Sequence, residues 1–241
     1  MPDILATNDG NINSNLAANY GGSWDACHDA TRGGANSSQE STTFGMARIV
    51  VFVYAGYTRW IIHRTFMEFD TEDITVLPPE ATLKIYGLGQ IQTDVIAVKG
   101  TQSDSLTAHD YDNLDVSVPY SAEVATWTVL GFNDFSLNLA ARQAMVDNDS
   151  FKVAIISYDN DYLDVDPGLP SVSINLGGYY SESATAAKRP YIDYTEGVTT
   201  PVSWTEMESK GGDIKIKGGR VVVGVDHDGP SSLPGNGGRS K

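Results

Sequence analysis

RTFMEFDTEDITVLPPEATLKIYG, residues 64–87, is the stretch that decides the fold of this 241-residue chain. Met67 and Phe69 alternate with Glu68 and Asp70, and Ala81, Leu83 and Ile85 alternate with Thr82, Lys84 and Tyr86. A period of two belongs to a strand with one face buried. Between the two runs stands Pro78-Pro79, which has no backbone N–H to give and cannot continue a ladder. The stretch reads as two strands joined by a loop longer than a tight hairpin, at a β-sandwich edge.

Working outward, residues 48–55 (RIVVFVYA) are almost continuously apolar, and residues 57–70 follow after Gly56. These read as consecutive strands buried on both sides. Further strands are expected at 91–98, 122–129, 151–158, 171–174 and 189–194, a number that suits a sandwich. One segment has a helical period: residues 136–146 space Leu137, Ala140, Ala141, Ala144 and Met145 on one side, with Asp134 or Ser136 as the N-cap. Residues 1–45, rich in Asn, Gly, Ser and Ala, read as a long irregular lead-in with turns at Asn8-Asp9-Gly10 and Asn19-Tyr20-Gly21-Gly22. The class is all-β, with residues 1–197 as the sandwich.

Residues 198–241 read as a linker, a hairpin and a flexible tail. The run 213–225 (DIKIKGGRVVVGV) is two short strands meeting at Gly218-Gly219, and Pro, Gly, Ser and Asn dominate beyond residue 228. An isolated two-stranded hairpin is marginal in water, so Val221, Val222, Val223 and Val225 are expected to serve assembly against a partner.

The net charge of −15 lies in the body: residues 1–196 carry 26 acidic and 10 basic side chains, against 5 and 6 in 197–241. Such a surface repels phosphate backbones and anionic membranes, which argues against nucleic-acid binding. The lone Cys27 excludes an internal disulfide, leaving the apolar core to hold the domain. No apolar run approaches the roughly 18 residues that span a bilayer. Met1-Pro2-Asp3 lacks the basic and apolar regions of a signal peptide.

Three blocks carry a family resemblance. They are Asp9-Gly10-Asn11-Ile12 with Asn19-Tyr20-Gly21-Gly22; residues 64–70 followed by 81–86; and Tyr179-Tyr180-Ser181 with Arg189-Pro190-Tyr191-Ile192-Asp193-Tyr194. With these, residues 8–196 resemble a DNRLRE-type jelly-roll domain. The resemblance implies a jelly-roll-like antiparallel β-sandwich without catalytic residues, of a kind that recurs in secreted modular proteins, in modules similar to carbohydrate-binding ones, and in bacteriophage structural and tail proteins. It also implies packing roles for Phe66, Phe69, Leu83, Ile85 and Tyr191, and a bond from Asp70 to loop backbone.

Candidate sites are few. His28, His63, His109 and His227 are too scattered for a metal motif. Cys27-His28-Asp29 pairs a nucleophile with a base, but neighbours in an extended segment point apart. Asp159, Asp161, Asp164 and Asp166 form an oxygen-rich loop with the ligand chemistry Ca2+ prefers. EF-hand spacing fails there at Leu163 and Asp164, so a calcium site would be irregular and shared with other loops, against the plainer reading of a solvated loop. Tyr111, Tyr162 and Tyr179 fall in expected loops and are candidates for stacking on sugar rings.

The functional expectation is a non-enzymatic bacteriophage virion protein: a head decoration, fibre or tail-appendage subunit, homo-oligomeric, made in the host cytoplasm and displaying the sandwich to a host-surface glycan. The alternative is an extracellular carbohydrate-binding module of a secreted polysaccharide-degrading system. A jelly-roll lyase or hydrolase needs convergent acid and base groups, which the sequence does not locate.

Overall fold

Both runs of the opening stretch are strands, but they are not neighbours. The computed structural model describes residues 3–14, 23–33, 43–54, 57–91, 93–168, 172–198, 214–217 and 220–223. In it β3 (Tyr57–Asp70) pairs with β1 (Asp3–Asn13), β2 (Thr43–Tyr54) and β8 (Ser150–Ser157). The second run opens β4 (Ala81–Ile91), which pairs with β7 (Phe132–Ser136), β9 (Val172–Tyr179) and β10 (Tyr191–Tyr194). Neither is an edge. Beyond β8 the hydrogen-bonded path continues through β5 (Val95–Gly100) and ends at β6 (Leu114–Pro119). Alternation shows that a strand has a buried face; it does not say which strand lies beside it.

The sheet becomes a sandwich because two long strands change layer. β1 pairs with β10 through residues 3–5 and with β3 through residues 6–13, with an irregularity between Ala6 and Asn8. β4 pairs with β7 and β10 through residues 81–86 and then with β9 from Gly87, with an irregularity before Gln90. Bulged corners of this kind let one strand serve both layers. Gly87 is required at its corner, since a Cβ there would stand 2.1 Å from the Thr128 carbonyl oxygen.

Between the layers lies an antiparallel β-sandwich core. Ile4, Leu83, Ile85, Phe135 and Ile192 of one layer meet Met67, Phe69, Phe151, Val153 and Ile155 of the other. Burial of each large aliphatic or aromatic side chain contributes about 1.5–3 kcal/mol. The second layer is also covered on its outer face. Val95 and Ala97 face the core while Ile96 and Val98 join Ile12, Phe66, Tyr111, Ala154 and Ile156 on the other side. Ile49, Val51 and Ile62 continue that outer layer under Trp24 and Cys27. Its cover is made by α1 (Trp24–His28) and by two turns at Ala108–Asp112 and Tyr158–Tyr162. Burial on both faces accounts for the unbroken apolar run near residue 50.

Several local expectations are corrected. Asn8-Asp9-Gly10 is not a turn but mid-strand in β1, opposite Glu68, Met67 and Phe66. Its polar groups find distant partners, buried Asp9 accepting from Ser181 and Asn8 donating to the Asp104 carbonyl at the surface. Asn19–Gly22 lies outside the described residues. Residues 122–129 form a loop with a single bridge from Val124 to Val95, because Trp127 turns into the core and Asn133 takes the Thr128 N–H and carbonyl that a ladder would use. The helix is α2, Leu139–Asp147, capped by Asn138 through the Ala141 N–H rather than by Asp134 or Ser136, which belong to β7. α1, only five residues long, is a second helix with Ser23 as its cap.

The chain divides into a unit of residues 1–198 and a unit of residues 199–241. In the second, β11 (Ile214–Lys217) and β12 (Arg220–Val223) form an antiparallel pair in which Ile214 is opposite Val223 and Ile216 opposite Val221. Val221, Val222 and Val223 thus lie on β12, while Val225 lies outside the described residues. Among the described residues no helix is long and apolar enough to cross a membrane.

Candidate functional site

Two constellations stand out: a buried ionic hub under the cover, and an aromatic face on the opposite layer. The hub begins with Arg64, whose i±2 neighbours Ile62 and Phe66 place it on the covered face of β3. Its Nε donates to Asp161 Oδ2 at 3.0 Å and its Nη2 to Asp161 Oδ1 at 2.8 Å, a two-point pair. Nη1 donates to the Tyr111 carbonyl at 3.1 Å and Nη2 to the His28 carbonyl at 3.0 Å. The guanidinium carbon lies 4.3 Å from the centre of the Tyr111 ring. One arginine thereby ties the sheet to α1 and to both covering turns.

His28 completes the hub. Its Nε2 lies 2.9 Å from the Asp161 carbonyl oxygen, and its Nδ1 lies 2.8 Å from Asp29 Oδ1. The hydrogen bond to the Asp161 side chain outweighs the opposing effect of burial and raises the imidazole to about 9, so the ring is charged at neutral pH and both nitrogens donate. For Asp161, burial alone would raise the pKa, but the charge of Arg64 and bonds from His28 and Arg64 hold it below the ordinary range. Trp24 stacks on His28 with centroids 5.5 Å apart. With its ring nitrogens committed to carboxylate and carbonyl oxygens, His28 is a clamp rather than a base for Cys27, whose Sγ donates to the Trp60 carbonyl.

The expected calcium loop is corrected by the same hub. Residues 158–162 coil into a wide turn, and the four carboxylates in and beyond it have partners within the fold. Asp161 is spent on Arg64, Asp159 accepts from the Asp94 N–H, and Asp164 and Asp166 accept from the indoles of Trp24 and Trp60. Among the described residues no group of three or more His, Cys, Asp or Glu is placed to hold a metal ion. Tyr111 is corrected too: it is fully buried, with its hydroxyl donating to the Cys27 carbonyl. Asp110 draws its loop down by accepting from the N–H and hydroxyl of both Ser103 and Thr107, which turns Tyr111 under the cover. Tyr162 is half-buried and stacks on Tyr158, centroids 5.4 Å apart.

A second polar cluster joins β1 and β3 to residues 180 and 181. Asp9 accepts from the N–H and hydroxyl of Ser181 at 2.8 and 3.0 Å, and Thr65 Oγ1 lies 2.9 Å from the Tyr180 hydroxyl. Burial, then the charge of Glu182, raises Asp9 to about 8. Nearby His63, bonded to Asn11, is pushed down to about 3 by burial and by Arg48. Asp70 accepts from the Glu72 N–H in the following loop.

The aromatic face follows from strand register. Ile192, Leu83 and Phe135 form one cross-strand row and point into the core. The adjacent row, Leu5, Tyr191, Lys84 and Asp134, therefore points outward, as do Tyr86 and Phe132 opposite each other. Tyr191 meets Phe132 edge-to-face at 5.3 Å, Phe132 meets Tyr86 at 5.3 Å, and Tyr86 meets Tyr179 at 5.6 Å. All four rings are half-buried. Lys84 Nζ pairs with Asp134 Oδ2 at 2.9 Å, and the Tyr86 hydroxyl donates to the Leu130 carbonyl. Tyr179, one of the expected stacking residues, belongs here. Tyr191, expected in a packing role, packs on the outer side against Phe132. The outward positions Lys84 and Tyr86 were readable from alternation, but Phe132 was not, because β7 is too short to announce itself.

Set against known proteins, the chain matches no family model, and no curated protein is found as its relative.

Proposed function

We propose that this protein is a non-enzymatic display module, a virion surface subunit of the head-decoration, fibre or tail-appendage kind, which presents an aromatic sheet face to a host-surface glycan. The observation that carries the reading is the run of half-exposed rings Tyr191, Phe132, Tyr86 and Tyr179 beside the Lys84–Asp134 pair. Rings stack on the apolar faces of sugars, while the flanking ion pair supplies donors and acceptors for hydroxyls. The net charge of −15 disfavours a polyanion there, so a neutral glycan is the fitting occupant.

The chemistry-bearing groups support the same reading. Arg64, Asp161 and His28 are consumed in holding the cover to the sheet. A cleft of about 280 Å³ between residues 73–76 and 194–197 is lined by Asp73, Tyr194 and Glu196. The β11–β12 pair is the segment proposed to anchor the subunit to its neighbours, through Val221, Val222 and Val223. A carbohydrate-binding module of a secreted polysaccharide-degrading system would use the same face with a different neighbour.

A glycan array probed with the protein and with its Tyr191→Ala and Phe132→Ala variants tests the reading, paired with sizing of the oligomer. Binding that both variants lose is the expected result. Binding untouched by either variant, or cleavage of a polysaccharide on incubation, would overturn it. A monomer that binds glycan favours the secreted module over the virion subunit.

A further inference from the structure

We infer that Lys188 is a specificity-determining residue of the aromatic face, a cover that makes the face discriminate glycans by length. The inference rests on the glycan reading above. Lys188 Nζ lies 4.9 Å from the centre of the Tyr86 ring and 4.7 Å from that of Tyr179, and donates to the Tyr179 hydroxyl at 3.3 Å. The two rings stand 76° apart, so the ammonium sits in a corner with a π-face on each side. Among the described residues no carboxylate forms an ion pair with Lys188, and no cation lies over Phe132 or Tyr191. Lys188 therefore covers two of the four half-buried rings, and among the described residues the other two have no cation over them.

The cover is held by a strap that need not unfold to release it. At its start, Ser181 is fixed to Asp9; at its end, Arg189 Nε donates to the Ser183 carbonyl at 2.9 Å. Between them the turn Ala186–Lys188 has no side-chain cap, and residues 184–187 are exposed. Lifting the Lys188 side chain breaks two ring contacts and one long hydrogen bond while leaving these anchors in place. A short glycan occupies Phe132 and Tyr191 without touching Lys188. A longer one must displace the ammonium, at a cost of about threefold to thirtyfold in affinity, the range of a cation–π contact.

Titration calorimetry with α-1,4- and β-1,4-linked gluco-oligosaccharides of two to six units, on the wild type, Lys188→Ala and Lys188→Met, tests this. The disaccharide should bind all three proteins within twofold, and the hexasaccharide should bind both variants about threefold to thirtyfold more tightly than the wild type. Photochemically induced nuclear polarisation reads tyrosine accessibility independently of sugar: Tyr191 should respond in every protein, Tyr86 and Tyr179 only in the variants. Equal effects on short and long sugars, weaker hexasaccharide binding, or full response of Tyr86 in the wild type would overturn the inference. If no protein binds either series, the length filter falls with the glycan reading. If sugars bind with an unchanged length profile, only the length filter falls.

Discussion

Arg64 and Asp161, 97 positions apart in the chain, meet in a two-point ion pair at 2.8 and 3.0 Å that is sealed from solvent beneath the covering turns. Stranding either partner leaves a buried charge without compensation, so Arg64→Met and Asp161→Asn should each cost about 3–5 kcal/mol of folding stability. The double variant Arg64→Met with Asp161→Leu should recover a large part of that loss. Urea denaturation of the three proteins checks it, and a single-variant cost below about 1 kcal/mol would refute a sealed pair.

His28 should set the alkaline limit of stability. Its pKa rises from 6.5 to about 9 on folding, so between those values the folded chain keeps a proton that the unfolded chain has released, and stability falls as pH rises. Asp9, raised from 3.8 to about 8, acts in the same direction over the window from about pH 4 to pH 8. The His28→Gln variant should therefore lose the slope between pH 8 and pH 9 and keep part of it below. Denaturation midpoints across that range decide, and an unaltered slope above pH 8 would rule His28 out.

His63 should limit stability on the acid side. With its pKa lowered to about 3, the unfolded chain takes up a proton below pH 6.5 that the folded chain refuses, so acidification costs stability. Replacing it by Gln, which can keep a hydrogen bond to Asn11, should flatten this contribution. The comparison is again one of midpoints, here from pH 7 down to pH 4.

Leu130 has a positive φ of 62° and is 64% exposed, a conformation natural to glycine in a residue with little packing to lose. Leu130→Gly should leave the fold intact and raise stability by up to about 1 kcal/mol. Calorimetric unfolding tests this, and a loss of more than about 1 kcal/mol would show that the exposed side chain contributes more than its burial indicates.

Gly87 makes the opposite case. A methyl group there would overlap the Thr128 carbonyl, whose loop is held by Asn133, so Gly87→Ala should cost at least about 1–3 kcal/mol. A neutral result would mean that the loop yields freely.

Periodicity was enough to place β3, β4, β8 and β10 and to name Phe69, Leu83 and Ile85 as core, because one-sided burial writes itself into every second residue. It misread β1, where Asn8, Asp9 and Gly10 look like a turn. Their polar groups find partners 96 to 172 positions away, and no local pattern reports that. The sites were less legible than the fold for the same reason. Tyr111 and Asp161 both look like loop-surface residues until the loops fold back onto Arg64, and burial then makes them structural. Composition and alternation alone determined the class of the chain, its acidic body and its core-facing residues, since these depend on each residue's own preference for water. Which strands became neighbours, which carboxylates were consumed in ion pairs and which rings remained outside were decided only in the tertiary structure, where long-range contacts set burial, and burial sets charge.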